Sequence, residues 1–407
     1  MSYTIGPADL ESLLLGGCFF GSGGGGTVES ARSLVSHFQR GEYYPSTAVR
    51  VVDVDEVCDA DTVMVAYLGA PEAIDGAVYP LGPALATSQV AQRLARSGRR
   101  LGYVVPPESG ALGFVVACLV AAHLGLDVID GDGAGRAVPS LPQLTFAAAE
   151  VNPRPAFLVS QSGLSVELDV QPDVNDPDGT ANGTAAHQQD VAAIIDQLMR
   201  PIVSQKDFAQ FGGLAMWIMA PDVLRAALPI RGTLTRALTT GRALQAGRLR
   251  RAADAIAFLK AEFDLTAVAL FPAGEFATAK VSTAGGFDLG ALTLRSGARR
   301  CTVLYQNESL LAWDSAAPAP IGMAPDGLCF FVEGEGQQVY SNGDLVLKDG
   351  SLTPAVKNRS VVLLGLKADP ALLRPGGLIL DSFMQMLAAI GYLGPYLPLV
   401  GDAGAAR

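Results

Sequence analysis

The stretch RLGYVVPPESGALGFVVACLVAAHLGLDVIDGDGAGR, residues 100–136, alternates between two kinds of apolar segment. Short runs rich in β-branched residues occupy 100–105 and 126–129, and the apolar run between them, 111–124, has the length of a helix. Largely apolar strands separated by helices are typical of a parallel sheet covered on both faces. The stretch therefore predicts a strand–helix–strand unit, and the loops at the carboxyl ends of such strands are where ligands bind.

The same alternation extends over the first part of the chain. Helices are predicted at 8–15, 28–38 and 87–96, and further strands at 51–54 and 62–68. Residues 156–171 are predicted to form two strands on either side of a turn at Ser162 and Gly163. We therefore expect an α/β fold, with a layered amino-terminal domain over residues 1–165 that contains a mostly parallel sheet.

The pattern changes in the second half of the chain. Residues 166–264 are predicted to be mainly helical and to pack on the α/β domain, apart from a polar loop at 173–183. From 265 to 407 many short strands with glycine-bearing turns predict a β-rich barrel- or sandwich-like domain that ends in a helix and a loop. The strands predicted there are 267–271, 277–282, 289–294, 301–305, 310–312, 328–332 and 360–366.

Composition excludes several classes of protein. The chain has 407 residues with 29 Lys and Arg against 40 Asp and Glu, a formal net charge of -11, which argues against nucleic acid as the main partner. The five cysteines form no C-x-x-C pair and are odd in number, so neither a zinc ribbon nor a disulfide framework is indicated. The apolar run 110–126 is interrupted by His123 and is too short for a membrane span. Because no positive charge precedes the first apolar stretch, we expect a cytoplasmic protein without a membrane partner.

Glycine is concentrated in places that suit chemistry. The chain has 46 glycines, and Ser22, Gly23, Gly24, Gly25 and Gly26 stand directly before a predicted helix. Backbone N–H groups can converge there, and the helix amino terminus adds partial positive charge, so the segment predicts a cradle for an anion or a carbonyl oxygen. It matches neither a Walker A motif nor a dinucleotide fingerprint. A tight turn between two helices, with no ligand, is the structural alternative.

Two acidic clusters follow predicted strands. Glu108 lies in Pro-Pro-Glu-Ser-Gly before the apolar helix, where it could act as a general acid or base or simply cap that helix. Asp130 and Asp132 lie in a glycine-rich segment with Arg136, directly after the strand at 126–129. Such a segment can form a site at a strand end, or a turn in which the arginine pairs with an acid.

Metal-binding patterns are missing from the sequence. The three histidines, His37, His123 and His187, show no H-x-H or H-E-x-x-H spacing, and we predict no metal ligands. A carboxylate-rich site that combines Glu108, Asp130 or Asp132 with His187 stays open, and the cofactor is left unknown, a divalent metal included. No G-x-S-x-G elbow indicates a serine nucleophile.

Taken in order, several segments resemble one family along nearly the whole chain. They are 13–26 (LLLGGCFFGSGGGG), 108–143, 211–244, 283–294 (TAGGFDLGALTL), 306–313 (QNESLLAW) and 361–379. They look like the S-methyl thiohydantoin desulfurase domain family, whose members often sit beside hydantoinase/oxoprolinase proteins. The resemblance implies an α/β domain followed by a β-rich one. It also implies hydrolytic removal of sulfur from a thiohydantoin-type ring, which gives a hydantoin and a thiol.

One departure from the family pattern stands out. Members usually carry an acid directly after the glycine cluster, whereas this chain has Thr27 and Val28, with Glu29 next. If that acid is catalytic in the family, its replacement bears on activity or substrate choice here.

Together with these residues, the resemblance implies a hydrolase of a small five-membered cyclic amide or thioamide. Glu108 or Asp132 would accept a proton from water, with Asp130 as a further catalytic candidate, and amides of the glycine cluster would stabilise developing negative charge. Arg136 would bind a substrate carboxylate, and Asn307 and Glu308 would reach the site from the second domain. We expect a homo-oligomer and a hydantoinase-type partner. The alternative is a non-catalytic accessory subunit that binds a metabolite for such a partner.

Overall fold

The structure is a computed structural model that describes residues 2–41, 48–69, 81–149, 151–170, 185–284, 287–347, 349–374 and 377–400. The predicted polar loop at 173–183 and the glycine pair at 285–286 lie outside these residues.

The first half of the described chain builds a mixed sheet in the order β1-β2-β5-β4-β3-β8-β6-β7. Its strands are β1 (Tyr3–Ile5), β2 (Val49–Val52), β3 (Asp61–Gly69), β4 (Leu101–Val105), β5 (Asp127–Ile129), β6 (Ala156–Val159), β7 (Ser165–Leu168) and β8 (Phe211–Met219). The pairs β2–β5, β5–β4 and β4–β3 are parallel, as the strand–helix–strand pattern predicts. The remaining pairs are antiparallel, among them the predicted hairpin β6–β7.

The described part of residues 166–264 is mainly helical, as predicted. Strand β8 is an unpredicted addition to it. It pairs with β3 and β6, so it extends the first sheet instead of packing on it. Its residues are continuously apolar and almost all buried. An apolar run of this length cannot be assigned to a strand or a buried helix from periodicity alone.

Helices cover both faces of this sheet. They are α1 (Leu10–Phe20), α2 (Val28–Gln39), α3 (Gly82–Arg96), α4 (Ala111–Leu124), α5 (Thr145–Ala148), α6 (Ala185–Val203), α7 (Pro221–Ala227), α8 (Thr233–Gln245), α9 (Ala252–Phe263) and α11 (Leu378–Ala389). The short helix α10 (Asn342–Leu345) packs on the core of the second domain. Side chains of β3 alternate between the two faces: Val63 and Val65 join a core with α1–α4, α8 and α9, whereas Met64 and Ala66 join a core with α5–α7 and α11.

The second half contains a curled antiparallel sheet that forms a half-barrel, in the order β13-β12-β11-β10-β9-β15-β14. Its strands are β9 (Ala267–Ala284), β10 (Phe287–Ser296), β11 (Arg299–Gln306), β12 (Glu308–Asp314), β13 (Gly322–Met323), β14 (Gly327–Val332) and β15 (Val361–Leu366). The two strands predicted at 267–271 and 277–282 form one strand, β9. Its first part pairs with β15 and its second part with β10, with register shifts along both ladders, which curl the sheet around a third core.

Helix α1 lies at the centre of the first domain. All of its residues except Glu11 are buried. It packs very closely against α8. A Cβ atom at Gly16 would lie 1.8 Å from the Ala237 carbonyl oxygen, and a Cβ atom at Gly241 would lie 1.7 Å from the Ser12 carbonyl oxygen. This contact fixes the end of α1, and with it the glycine cluster that follows.

We predict that Gly241→Ala lowers the free energy of unfolding by about 2 kcal/mol, because the added methyl group would force the two helices apart. Urea unfolding measures the effect. Gly6→Ala is the control, since its Cβ would meet only the Asp9 carboxylate, at 3.8 Å. Equal stability of the Gly241→Ala variant and the wild type would contradict the packing described here.

Candidate functional site

A cavity of about 110 Å³ opens where the parallel strands end. The carboxyl end of β3 and the loops after β4 and β5 form one side of it, in keeping with the location predicted for ligands in such sheets. The second domain contributes Asn307 and Glu308, and α6 contributes Asp196 and Arg200. The site therefore combines elements that are far apart in the sequence.

Glu108 lies in the loop between β4 and α4. Helix α4 begins after Gly110, and the Glu108 carboxylate accepts a hydrogen bond at 2.7 Å from the N–H of Val138, so it does not cap the helix. Burial raises the pKa of Glu108 well above its ordinary value, and the negative charge of Glu308 raises it further. Glu108 thus favours its protonated form.

Glu308 is the first residue of β12 and enters the cavity from the second domain. Its side chain lies against the glycine cluster, since a Cβ at Gly24 would be 2.0 Å from its Oε1 atom. The N–H of Gly25 donates to its carboxylate. Among the described residues, its buried Oε2 atom has no hydrogen-bond partner. Burial raises the pKa of Glu308 to about 7, against the opposing effects of Arg136, Gly25 and Arg200.

Glu108 and Glu308 therefore form a pair of buried carboxyl groups on one cavity. Two like charges in a dry site oppose each other, so such a pair retains one proton over a wide pH range. The sequence singles out Glu108 as catalytic and Glu308 as substrate-binding. It brings Glu308 to the site of Glu108 from the second domain, but as a substrate-binding group and not as the second member of a carboxyl pair.

The glycine cluster is a turn between α1 and α2. The Ser22 hydroxyl accepts the N–H of Leu328 at 2.9 Å, and the Ser22 and Gly23 carbonyls accept the N–H groups of Ser309 and Asn342 at 2.8 and 2.7 Å. The cluster thus docks the second domain onto the first. Within it, Gly25 and Gly26 line the cavity.

The amino terminus of α2 is occupied by a carboxylate of the protein itself. Asp344 accepts the N–H of Val28 at 3.0 and 3.1 Å, and the Thr27 hydroxyl caps the helix by accepting the N–H of Ser30 at 2.9 Å. The anion cradle predicted from the sequence therefore binds an internal acid. Glu29, the nearest acid to the position at which the family carries one, is exposed.

Asp130 and Asp132 lie outside the cavity. Asp130 accepts the N–H groups of Leu234 and Thr235 at 3.0 and 3.1 Å at the start of α8. Asp132 is fully buried and accepts the Ser109 hydroxyl at 2.7 Å, in addition to backbone N–H groups of its own loop. These contacts shape the glycine-rich loop, so both acids stabilise structure and neither faces the cavity with Glu108.

Arg136 is buried between the domains. It donates hydrogen bonds to the carbonyl oxygens of Ala137 and Asp326 at 2.8 Å, of Ser309 at 3.1 Å and of Pro325 at 3.3 Å. Burial lowers its pKa to about 10. Arg136 does not line the cavity that contains the carboxyl pair, but its positive charge lowers the pKa of both carboxyl groups. Arg136 is therefore placed to hold the two domains together, and it is not placed to bind a substrate carboxylate in that cavity.

Sequence reasoning missed the polar groups that α6 adds to the cavity. Arg200 donates to Asp196 at 3.1 Å and to the Pro139 carbonyl at 3.0 Å, and its guanidinium lies 3.7 Å from the centre of the Phe287 ring. The Ser140 hydroxyl donates to Asp196 at 2.9 Å. A groove of about 440 Å³ continues from these residues along α6. The only sequence signal is an acid and an arginine one helical turn apart, which is common on exposed helices.

The described residues contain no group of three or more His, Cys, Asp and Glu side chains that could hold a metal ion. The side chain of His187 lies outside the described residues. No described helix is long and apolar enough to cross a membrane.

Two family models together match most of this chain. A model of the S-Me-THD-like amino-terminal domain matches residues 8–170, and a model of the S-Me-THD-like carboxy-terminal domain matches residues 189–391. The chain belongs to the S-Me-THD-like family. This confirms the resemblance to the S-methyl thiohydantoin desulfurase domain family. The family name points to thiohydantoin-related chemistry.

A solved structure is also similar to this S-Me-THD-like protein. It is the crystal structure of a protein from Chromobacterium violaceum, 53% identical in sequence, with a TM-score of 0.87 over 98% of this chain and 100% of that chain. No curated protein matches.

We predict that Glu308→Gln raises the melting temperature by an amount that grows with pH. A folded-state pKa raised from 4.5 to about 7 means that the wild-type carboxyl group favours folding at acidic pH and loses that contribution as pH rises through 7. One pKa unit corresponds to about 1.4 kcal/mol, so the variant should melt several degrees above the wild type at pH 8 and close to it at pH 5. Glutamine can still accept the Gly25 N–H.

The matched control is Glu335→Gln, because that side chain is 87% exposed. Its melting temperature should follow the wild type at both pH values. The prediction fails if the Glu308→Gln variant melts below the wild type at pH 8. In that case the ionised Glu308 carboxylate would stabilise the folded state.

Proposed function

We propose that this protein is a hydrolase of a small five-membered cyclic amide or thioamide of the thiohydantoin or hydantoin type, and that it removes sulfur hydrolytically. The observation that carries the proposal is the pair Glu108 and Glu308, two buried carboxyl groups on one cavity between the domains. The family name supports the choice of ring. Perturbed pKa values of paired acids in a cleft are typical of general acid–base catalysis.

The two acids differ in the roles they suit. Glu308 titrates at about 7, so near neutral pH a large fraction is ionised, and its Oε2 atom has no hydrogen-bond partner among the described residues. An ionised carboxylate with an unsatisfied oxygen suits a general base. Glu108 holds its proton more strongly because of burial and the charge of Glu308, while one of its oxygens accepts the Val138 N–H. It suits a general acid.

For an S-methyl thiohydantoin the steps balance as follows. Glu308 takes a proton from water as the water oxygen bonds to the ring carbon that carries sulfur, and Glu108 protonates the ring nitrogen of the C=N bond. The carbon–sulfur bond then breaks, and the sulfur leaves as methanethiol with the proton from Glu308. The new hydroxyl group returns its proton to Glu108 as the carbonyl forms. The products are a hydantoin and a thiol, and both acids regain their starting states.

The surroundings of the pair suit a small ring. Apolar side chains of Met64, Leu112 and Leu214 line the cavity, whose volume of about 110 Å³ limits the ring to a small one. A substituent on the ring would extend into the groove along α6, past Arg200. Self-association and a hydantoinase-type partner remain part of the proposal.

We predict that the purified chain releases thiol from an S-methyl thiohydantoin, and that Glu108→Gln and Glu308→Gln each lower kcat/KM by about 100-fold or more. Thiol release is followed with a chromogenic disulfide, and circular dichroism checks folding. Glu335→Gln is the control and should match the wild type. The kcat/KM of the wild type should show a bell-shaped dependence on pH. The fall at acidic pH should be absent from the Glu308→Gln variant.

Two results would overturn this function. Folded Glu108→Gln and Glu308→Gln variants with wild-type rates would remove the carboxyl pair from the reaction. A wild-type chain that binds the ring and releases no thiol would favour the accessory-subunit alternative.

A further inference from the structure

A second and larger cavity lies at another part of the domain junction. Its volume is about 250 Å³, and it has no lining residue in common with the cavity that contains the carboxyl pair. Its walls come from the end of α1, the Gly135–Arg136 loop, α8, the segment before β9 and the segment after β15. Both domains therefore contribute to it.

Cationic side chains predominate around this cavity. Arg136, Arg236 and Lys367 line it, together with the acids Asp264 and Asp369. Asp264 is already paired with Lys260, the residue one helical turn before it.

Asp369 is engaged in a local turn, where its carboxylate accepts the N–H of Ala371 at 2.9 Å. Arg236 donates to the Arg231 carbonyl at 3.3 Å through one of its terminal nitrogens. Arg136 makes four hydrogen bonds, to carbonyl oxygens, while a guanidinium group has five N–H donors. The charge of Arg136 is partly offset by Glu308, Asp326 and Glu108. Arg236 and Lys367 are therefore the cationic groups through which this cavity favours an anion.

The rest of the lining is apolar. Phe20, Ile230, Leu265, Leu366 and Leu372 supply it. A cavity with mostly apolar walls and a few charged groups is the usual form of a site for a small organic molecule, and cationic groups favour an organic acid. A simple inorganic anion would leave these walls without contact.

We propose that this second cavity is a binding site for a small organic monocarboxylate with an apolar body. Its carboxylate would lie towards Arg236 and Lys367, and its apolar part against Phe20 and the leucines. The site does not depend on the proposed hydrolysis, because it lies apart from Glu108 and Glu308.

The test titrates the full chain with benzoate, benzamide and acetate by calorimetry. Benzamide has the shape of benzoate without its charge, and acetate has the charge without the ring. We expect benzoate to bind one site per chain, and benzamide and acetate to bind at least about tenfold more weakly, a difference of about 1.4 kcal/mol. Equal binding of all three compounds, or no binding of benzoate, would overturn the proposal.

Variants locate the site. Arg236→Gln and Lys367→Gln should each weaken benzoate binding by about tenfold. Arg250→Gln is the control, since it removes an exposed arginine that pairs with Glu335 outside the cavity. Glu308→Gln should bind benzoate at least as tightly as the wild type, because it removes a negative charge that offsets Arg136. The opposite result would refute the second site: Glu308→Gln loses benzoate binding, while Arg236→Gln and Lys367→Gln bind like the wild type. Benzoate would then bind in the first cavity.

Discussion

The docking of Glu308 against the glycine cluster is the contact on which the candidate site depends. A side chain at Gly24 would overlap the Glu308 carboxylate, and the Gly25 N–H donates to it. The same turn accepts N–H groups from Ser309, Leu328 and Asn342, which belong to the second domain. Because the cluster has no Cβ atoms at its glycines, the two domains can approach closely enough to place an acid of one beside an acid of the other.

Burial of that acid has an energetic cost, which the surrounding charges reduce. Desolvation disfavours the charged form of Glu308, and Glu108 adds repulsion when it is ionised. The positive charge of Arg136 opposes both effects from its buried position between the domains, where it donates hydrogen bonds to four carbonyl oxygens. The resulting pKa of about 7 keeps Glu308 available in both protonation states near neutral pH. This balance supports the hydrolytic role that we propose for the pair.

Much of the fold could be predicted from local pattern. Helix α4 occupies the predicted residues, 111–124, and the strands β3, β4 and β5 lie within a residue or two of their predicted positions. Strand β8 was missed because a continuous apolar run fits a buried helix equally well. Strand β9 was divided in the prediction because Pro272 and Gly274 signal a turn, whereas pairing with two different strands carries the chain through that point.

The site divides in the same way. The sequence by itself determined the family, the α/β and β-rich halves, and two facts about the site: that Glu108 stands at a strand end, and that flexible glycines stand before α2. Tertiary structure decided which acids share a cavity. Asp132 is only 24 positions from Glu108 in the sequence, but it does not line the cavity. Glu308 is 200 positions from Glu108, yet the two residues line the same cavity. The physical reason is that spacing along the chain sets local geometry alone, while burial, charge pairing and shared solvent exclusion arise only when the two domains pack together.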